Sequence, residues 1–584
     1  MSEDEAFEDD TVEHGTGEGA EDDGSTDVFD QQIPEPKIEE IPRPAADDPD
    51  APVEDDGPMP FDVPEARVNR TRDAHPNNLH NNITFRPELL WRLTNSPADG
   101  ARVKPAMRQR IGQAAIKRFL AQADQHESLP VRAIGAKWSL SRAAATPGWL
   151  ALTEDLAYTR TRLNSVHARS PYRPEQLAWV QCGTRVAQIN SNLGRIGRSL
   201  MTTGASNGQT IIGATATGTH GAAFRVGSMQ DTIRAMHIMC SATRHVWLEP
   251  SSAPVIADDI AKRVFGADVE IIRDDDTFHS AQVSFGSFGI IESVILETVP
   301  MFLLTSFRET KRWDDALARE IYGLADNRER NKHGELYHYE VIFDPLQLAK
   351  GDELTPWVTK IYSRPAPAGY KYQNARAPKN IIITDPSAVR WAKRGARAFP
   401  RIMLKQASKL MHERFPLLNG EEGAHPLGVV FTDVVMDALG ASTEIGVALR
   451  DAPRAANVIS GVMRKSFKRR RPFLGPMSMR FVKASQATLA FTHFGPISCA
   501  IELPGARMSW TPRFYREVFA ALDDAEIQFA LHWGQENDFS PARIQRSYGK
   551  QRVAKWRRAR ARILNTESLR ERYSNPMLEA CGLD

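Results

Sequence analysis

Residues Gly204–Gly221 read GASNGQTIIGATATGTHG, with five glycines among small and hydroxylated residues. Glycine lets a backbone approach a ligand closely and take positive φ. Ser206, Asn207, Gln209, Thr210, Thr217 and Thr219 add side-chain hydrogen-bonding groups. Such a stretch suits an extended polar ligand such as a dinucleotide, and by composition alone it equally suits a plain Gly/Thr loop. It contains neither GxxxxGK[ST] nor a strand-linked GxGxxG, so a P-loop and a Rossmann fingerprint are both absent from it.

Upstream of this stretch, Gly183–Leu200 carries Val186, Ile189, Leu193 and Ile196 on one helical face and is predicted to end near Gly197. Ala178–Gln181, Trp149–Leu152 and Val131–Ile134 read as short buried strands, and Met107–Ala121 as a helix. Downstream, the turn Phe285-Gly286-Ser287-Phe288-Gly289 leads into an alternating strand over Ile290–Thr298, and Pro300 marks a soft boundary. The pattern is that of a mixed α/β protein.

The chain has 584 residues, 41% apolar and 25% charged, which excludes collagen, coiled-coil and disulfide-scaffold architectures. Its net charge of +1 hides a division. Residues 1–60 hold 22 acidic residues against Lys37 and Arg43, so the remainder carries a net charge of +21. Residues 1–66 are predicted to be disordered, because their Asp/Glu/Pro/Gly composition buries too little apolar surface. They are read as a solubilising tail, with an electrostatic mask or a protein-partner site as the alternatives. Cys182, Cys240, Cys499 and Cys581 form no CxxC pair, so no zinc site or disulfide framework is expected and a reducing compartment is. The N-terminus lacks the features of a signal peptide, and the apolar stretch Leu427–Leu449 is interrupted by Asp433, Asp437 and Glu444. The expectation is a cytoplasmic protein with no membrane span and no metal. The basic runs Arg464–Arg471 and Arg557–Arg562 are read as surface features, with nucleic-acid binding unlikely to be the function.

The Gly204–Gly221 block resembles the flavin-embracing segment of the vanillyl-alcohol-oxidase-type (PCMH-type) FAD-binding oxidoreductases, in particular their sugar-lactone and alditol oxidase branch. The matching positions are Gly204, Gln209, Thr210, Gly213, Thr217, Gly218, Thr219, His220 and Gly221, with Ala205, Ser206 and Ala214 between them. Arg132–Ser141, RAIGAKWSLS, is similar to the family's pyrophosphate loop, which implies FAD contacts at Gly135, Ala136, Lys137, Trp138 and Ser139. Val283–Val294, VSFGSFGIIESV, resembles the strand whose backbone at Gly289, Ile290 and Ile291 lines the cofactor. Where many relatives carry the histidine that is joined to the flavin, this chain has Trp138. The resemblance therefore implies non-covalent FAD, with His220 as a contact residue.

In the C-terminal half, Gly475–Lys483, GPMSMRFVK, is similar to a substrate-domain strand with a Glu-x-Arg pair. Arg480 matches the arginine, and Ser478 stands where the glutamate is expected. Leu531–Gln535, LHWGQ, resembles the family's HWGK with Gln535 in place of lysine. Arg480 is thus the expected source of positive charge, His532 the leading candidate base or orienting group, and Glu502 an alternative base otherwise read as a solvated strand-end carboxylate.

The resemblance implies a two-domain α+β flavoprotein. An FAD-binding domain is expected over residues 95–300, a substrate or cap domain on a mixed sheet over 301–565, and a C-terminal tail over 566–584. The implied activity is FAD-dependent oxidation of a CH–OH group of a small polyol, sugar lactone or alcohol, with oxygen or another electron acceptor. With Ser478 and Gln535 in place of the usual residues, the alternative is a flavin-binding scaffold with little activity.

Overall fold

In the computed structural model, the described residues are 66–584 except 72–76, 81, 127–128, 352, 374–394, 396–397 and 432–439. The acidic tail, and any partner it takes, lies outside them apart from Ala66. The described residues belong to one compact unit built on three sheets.

The first sheet contains β1 (Ala66–Thr71), β2 (Leu89–Pro97), β3 (Val131–Ile134) and β4 (Trp149–Asp155), in the order β1-β2-β4-β3. Helix α1 (Pro105–Ala123) packs on it through Ile111, Ala115, Ile116, Phe119 and Leu120, all fully buried. Pro105 opens this helix at a position whose N–H would have no intrahelical partner.

The second sheet contains β5 (Thr159–Arg160), β6 (Leu177–Gln181), β7 (Arg198–Leu200), β8 (Ile233–Met239), β9 (His245–Glu249), β10 (Glu270–Arg273) and β11 (Ile290–Pro300). Its order is β10-β9-β8-β11-β6-β5, with β7 paired to the end of β11. Strand β11 lies antiparallel to both β6 and β8. Strands β6, β8 and β9 have almost no exposed residue, consistent with their near-continuous apolar sequence. Between β6 and β8 run α2 (Val186–Arg195) and the short α3 (Ile211–Thr215). Two expectations change here. Helix α2 stops at Arg195, leaving Ile196 at 38% exposure off the buried face, and the glycine-rich stretch contains a helical turn rather than being wholly irregular.

The third sheet has ten strands: β12 (Phe302–Thr310), β13 (Arg330–Asn331), β14 (Gly334–Phe343), β15 (Trp357–Pro365), β16 (Leu418–Asn419), β17 (His425–Pro426), β18 (Gly440–Ala448), β19 (Met477–Lys483), β20 (Ile497–Ala506) and β21 (Phe529–Leu531). The stretch that matters for function is the antiparallel run β14-β19-β20-β18. Successive side chains of a strand point to opposite faces. Tyr339, Val341, Ile445, Val447, Met477, Met479, Phe481, Cys499 and Ile501 share one face, where they pack with Phe514, Val518 and Phe519 of the helix Thr511–Asp524. The alternate residues, Glu340, Ser442, Glu444, Ser478, Arg480 and Glu502, are thereby turned to the other face.

The C-terminus folds back into the main core. Tyr573, Leu578 and Leu583 are fully buried. Asn575 caps the helix Pro576–Cys581 and donates to the carbonyls of Ala143 and Ala145 at 3.0 Å, beside the expected pyrophosphate loop. Among the described residues no helix is long and apolar enough to cross a membrane.

Candidate active site

The polar face of β18, β19 and β20 forms one wall of an elongated cavity. The opposite wall comes from the loop after β3 (Gly135–Leu140), from the Ala205–His220 stretch, and from the turn before β11 (Phe285, Gly286, Gly289) with Ile291. Residues His532–Gln535, after β21, close one side.

The loop is held rigidly. Leu140 N–H donates to the Gly534 carbonyl at 2.8 Å and Ser139 Oγ donates to the same oxygen at 3.2 Å. Asn78 Nδ2 donates to the Ser139 carbonyl at 2.8 Å, and Leu79 N–H to that of Lys137 at 2.8 Å. Two glycines are there for close approach. A Cβ on Gly135 would lie 2.1 Å from Thr210 Oγ1, the hydroxyl that caps α3, and Gly289 sits at φ +110° against the Met239 carbonyl. Gln209 Oε1 is buried without a protein partner in this wall.

Most of the expected cofactor contacts line the cavity: Gly135, Ala136, Lys137, Trp138, Ser139, Ala205, Ser206, Gln209, Thr210, Gly213, Ala214, Thr217, Thr219, His220, Gly289 and Ile291. Gly204, Gly218, Gly221 and Ile290 do not reach it. Gly218 supplies a positive φ of +90°, and a Cβ on Gly221 would meet the Thr203 carbonyl at 2.5 Å, so these two shape the wall from behind.

On the sheet side, Arg480 sits at the centre. Its Nη2 donates to Glu444 Oε1 at 2.8 Å and bonds Glu502 Oε2. Glu444 and Glu502 face each other across β18 and β20. Burial resists ionisation of Glu444, but the charges of His220 and Arg480 outweigh it and hold this carboxyl well below the ordinary range. Glu502 moves the other way. Burial raises its pKa and the Glu444 charge adds to the rise, with Arg480 opposing only in part. The same surroundings thus shift the two carboxyls in opposite directions. Ser442 Oγ donates to Glu502 Oε1 at 3.0 Å, and Gln535 Nε2 reaches the same oxygen at 3.4 Å. Arg480 Nε and Gln535 Oε1 are buried with no partner.

The histidines bracket this pair. His220 Nδ1 donates to the Gly221 carbonyl at 2.7 Å and its Nε2 lies 2.9 Å from Glu444 Oε1. His532 Nδ1 accepts from the Gly534 N–H at 2.9 Å, which puts its proton on Nε2, 4.0 Å from Glu444 Oε2. Burial pushes its pKa down to about 4, below the value near 6.5 on which its expected role as base rests. Ser478 lies outside the cavity lining and donates to Glu340 Oε1 at 3.0 Å. Glu340 is held at about 2, because bonding to His338 and the charges of His338 and Arg480 overcome the effect of burial.

Glu444 was not legible as a site residue. Its signal is the single carboxylate in the run GASTEIGVA, where Ser442 and Thr443 are the other polar side chains. Glu502, read as a solvated strand-end group, stands within β20 with its side chain 19% exposed and paired to Arg480. Position 478 carries no glutamate, and the strands on either side of β19 carry Glu340 and Glu502.

The buried neutral imidazole of His532 has a consequence for stability. Its folded pKa of about 4 lies below the unfolded value near 6.5, so between these pH values the unfolded chain binds more protons. Stability falls as pH drops through this window, by about 3 kcal/mol from this group. Urea unfolding at pH 7 and pH 4.5 should show the fall, and His532→Gln should make it shallower; an unchanged slope would rule out His532 as a source.

Residues 113–249 match a family model described as an FAD binding domain. A stretch of 128 residues is 30% identical to a putative D-arabinono-1,4-lactone oxidase of Neurospora crassa, covering 22% of this chain and 19% of that protein, about a fifth of its length. An L-gulono-1,4-lactone dehydrogenase of Mycobacterium tuberculosis is 23% identical over 464 residues, covering 79% of this chain and 92% of that one. The crystal structure of cholesterol oxidase from B. sterolicum superposes with a TM-score of 0.59 at 14% identity, covering 88% of this chain and 97% of the other.

Proposed function

We propose that this chain, a PCMH-type FAD-binding oxidoreductase of the lactone-oxidase-like branch, oxidises a CH–OH group of a small polyol, sugar lactone or alcohol. The observation that carries the reading is the Glu444–Arg480–Glu502 bridge, which faces the loop and glycine-rich stretch across one cavity. The residues present fit FAD: the backbone at Gly135–Ser139, the close packing at Gly135 and the unpaired Gln209 Oε1, an acceptor. Residues 95–300 are assigned to holding the cofactor and 301–565 to the substrate side.

FAD, when bound, supplies the centre that accepts a hydride from the carbinol carbon. The protein has to take the hydroxyl proton and orient the donor. Glu502 is assigned the proton. Its raised pKa reflects a buried carboxyl whose proton affinity exceeds that of an ordinary glutamate, and it is less enclosed than Glu444, whose side chain is 3% exposed. Arg480 keeps both carboxylates in place and leaves its Nε–H for a substrate oxygen. Gln535 offers a neutral amide where a lysine is expected, with roughly half the strength of a charged donor. His532, neutral and committed through Nδ1 to Gly534, serves as a positioning residue rather than the base. The substrate thus meets a site whose positive charge is already matched by its own carboxylates, which suits a neutral hydroxyl compound.

The test is anaerobic mixing of the FAD-loaded protein with alditols, aldonolactones and simple alcohols. Bleaching of the flavin absorbance with at least one is expected; no bleaching with any would leave the flavin-binding scaffold as the better reading. The cofactor is assigned as non-covalent, because Trp138 lines the loop and indole has no nucleophilic nitrogen for a flavin bond. Acid precipitation should release the flavin to the supernatant, and flavin in the pellet would contradict this. Gly135→Ala should introduce roughly 1–3 kcal/mol of overpacking against Thr210. Loss of flavin from this variant on gel filtration is expected, and full retention would exclude a role for this close packing. The four cysteines are buried and free, in keeping with a cytoplasmic setting.

A further inference from the structure

Large apolar side chains exposed by more than a third are few among the described residues, and four of the six, Phe399, Ile402, Leu410 and Leu417, fall within 19 residues at and beyond the helix Pro400–Arg414. They are 54–65% exposed. Scattered exposed apolar groups need no explanation, but a cluster does. At about 100° per residue, Ile402 and Leu410 fall about 80° apart on the exposed side of this helix, with Lys409 and Glu413 each about 20° from Ile402, Gln406 between the two apolar side chains, Lys405 about 60° away and Arg401 at the edge. The opposite face, with Leu404 and Ser408, is buried, and Ser408 Oγ donates to Asp344 Oδ2 at 2.6 Å. The helix is therefore anchored on the protein by one side and presents apolar side chains interleaved with lysines on the other.

The positive charge extends beyond the helix. Arg401 lies over the ring of Phe467 at 5.9 Å, near the end of the helix Ala452–Lys468. Lys468 and Arg469–Arg471 follow directly, and Arg470, Arg471 and Arg513 line a shallow hollow with Trp510. Among the described residues, Glu413 and Glu517 are the acidic partners on this surface, contacting Lys409 at 3.9 Å and Arg469 at 2.9 Å.

We propose that this face docks on an anionic lipid bilayer. A helix of 15 residues is too short to span a membrane, but apolar tips flanked by lysine and arginine are the pattern of a segment lying in the interface. The cationic residues supply attraction to acidic headgroups, and Phe399, Ile402, Leu410 and Leu417 supply insertion, which a purely ionic polyanion would not use. Nucleic acid would explain the arginines but leave the exposed apolar side chains without a partner.

The test uses the full-length, FAD-loaded protein in co-sedimentation with vesicles of phosphatidylcholine alone and of phosphatidylcholine mixed equally with phosphatidylglycerol. Binding to the mixed vesicles only is expected. Lys405→Glu with Lys409→Glu should weaken it by roughly fivefold for each lysine lost, and Ile402→Ser with Leu410→Ser by roughly tenfold or more. All four substitutions are on the surface and should leave the flavin spectrum unchanged. Failure to sediment with the mixed vesicles would overturn the proposal. So would vesicle binding indifferent to the serine pair, tight binding to a duplex oligonucleotide instead, or self-association abolished by the serine pair without any vesicle binding.

Discussion

Arg480→Met is expected to abolish turnover and to lower stability by roughly 3–5 kcal/mol, the usual cost of stripping the counter-charge from buried ions. The guanidinium bonds Glu444 and Glu502 and contributes to the ionisation of Glu340, so its loss strands several carboxylates on one buried sheet face. Methionine fills much of the volume, which isolates charge from packing. Arg480→Lys should recover only part of the stability, because an ammonium cannot present the planar fork that spans two carboxylates. Urea unfolding and flavin reduction by a responsive alcohol would measure both effects. Near wild-type stability in Arg480→Met would mean that Glu444 and Glu502 are balanced by other charges, and the bridge would lose its place in the site.

Glu502→Gln is the second large effect, and it should be kinetic. Glutamine keeps the shape and can still accept from Ser442, so the fold should tolerate it, while a base contributes about 10²–10⁴-fold to a proton transfer. The pH behaviour separates the base from a merely structural group. Glu502 has to be ionised to accept a proton, and its folded pKa is raised by burial and by Glu444. Wild-type flavin reduction should therefore rise with pH along a limb above the ordinary carboxylate range, and Glu502→Gln should lose that limb. The stability signs are opposite for the pair. The stabilisation from protonated Glu502 is fully present below the unfolded carboxyl pKa and lost as pH rises through the folded value. That from Glu444, whose pKa is depressed, is present above the unfolded value and lost as pH falls through the folded one. If Glu502→Gln reduces flavin within a few-fold of wild type while Glu444→Gln does not, the base is Glu444.

The legibility of the site in the sequence depended on how local each contact is. The loop Gly135–Ser139 and the stretch Gly204–Gly221 hold their cavity-lining groups within short runs, and the resemblance of those runs to a known family made them legible where composition alone left a plain loop equally open. Strands β3, β4, β6 and β11 lie where alternation and apolar runs put them, with ends shifted by a few residues. Ile196 shows the limit of periodicity: the helical pattern continues past Arg195, but the chain turns at Gly197, φ +69°, to begin β7. On the substrate side, each strand contributes one or two polar residues, and nothing within a strand says which neighbour it will face.

The sequence by itself marked the half of the cavity lined by Gly135–Ser139 and Ala205–His220, because these runs of consecutive residues carry the family resemblance. It also determined the division of charge between residues 1–60 and the rest of the chain. The tertiary structure alone brought together the group proposed to react. Glu444, Arg480 and Glu502 are up to 58 positions apart in the chain, and only the β19-β20-β18 register turns them to one face and makes them partners. Burial then decided their roles, since the same environment that depresses Glu444 raises Glu502 and leaves His532 neutral. A carboxylate's proton affinity is set by the charges and solvent around it, and no reading of residues in order supplies those.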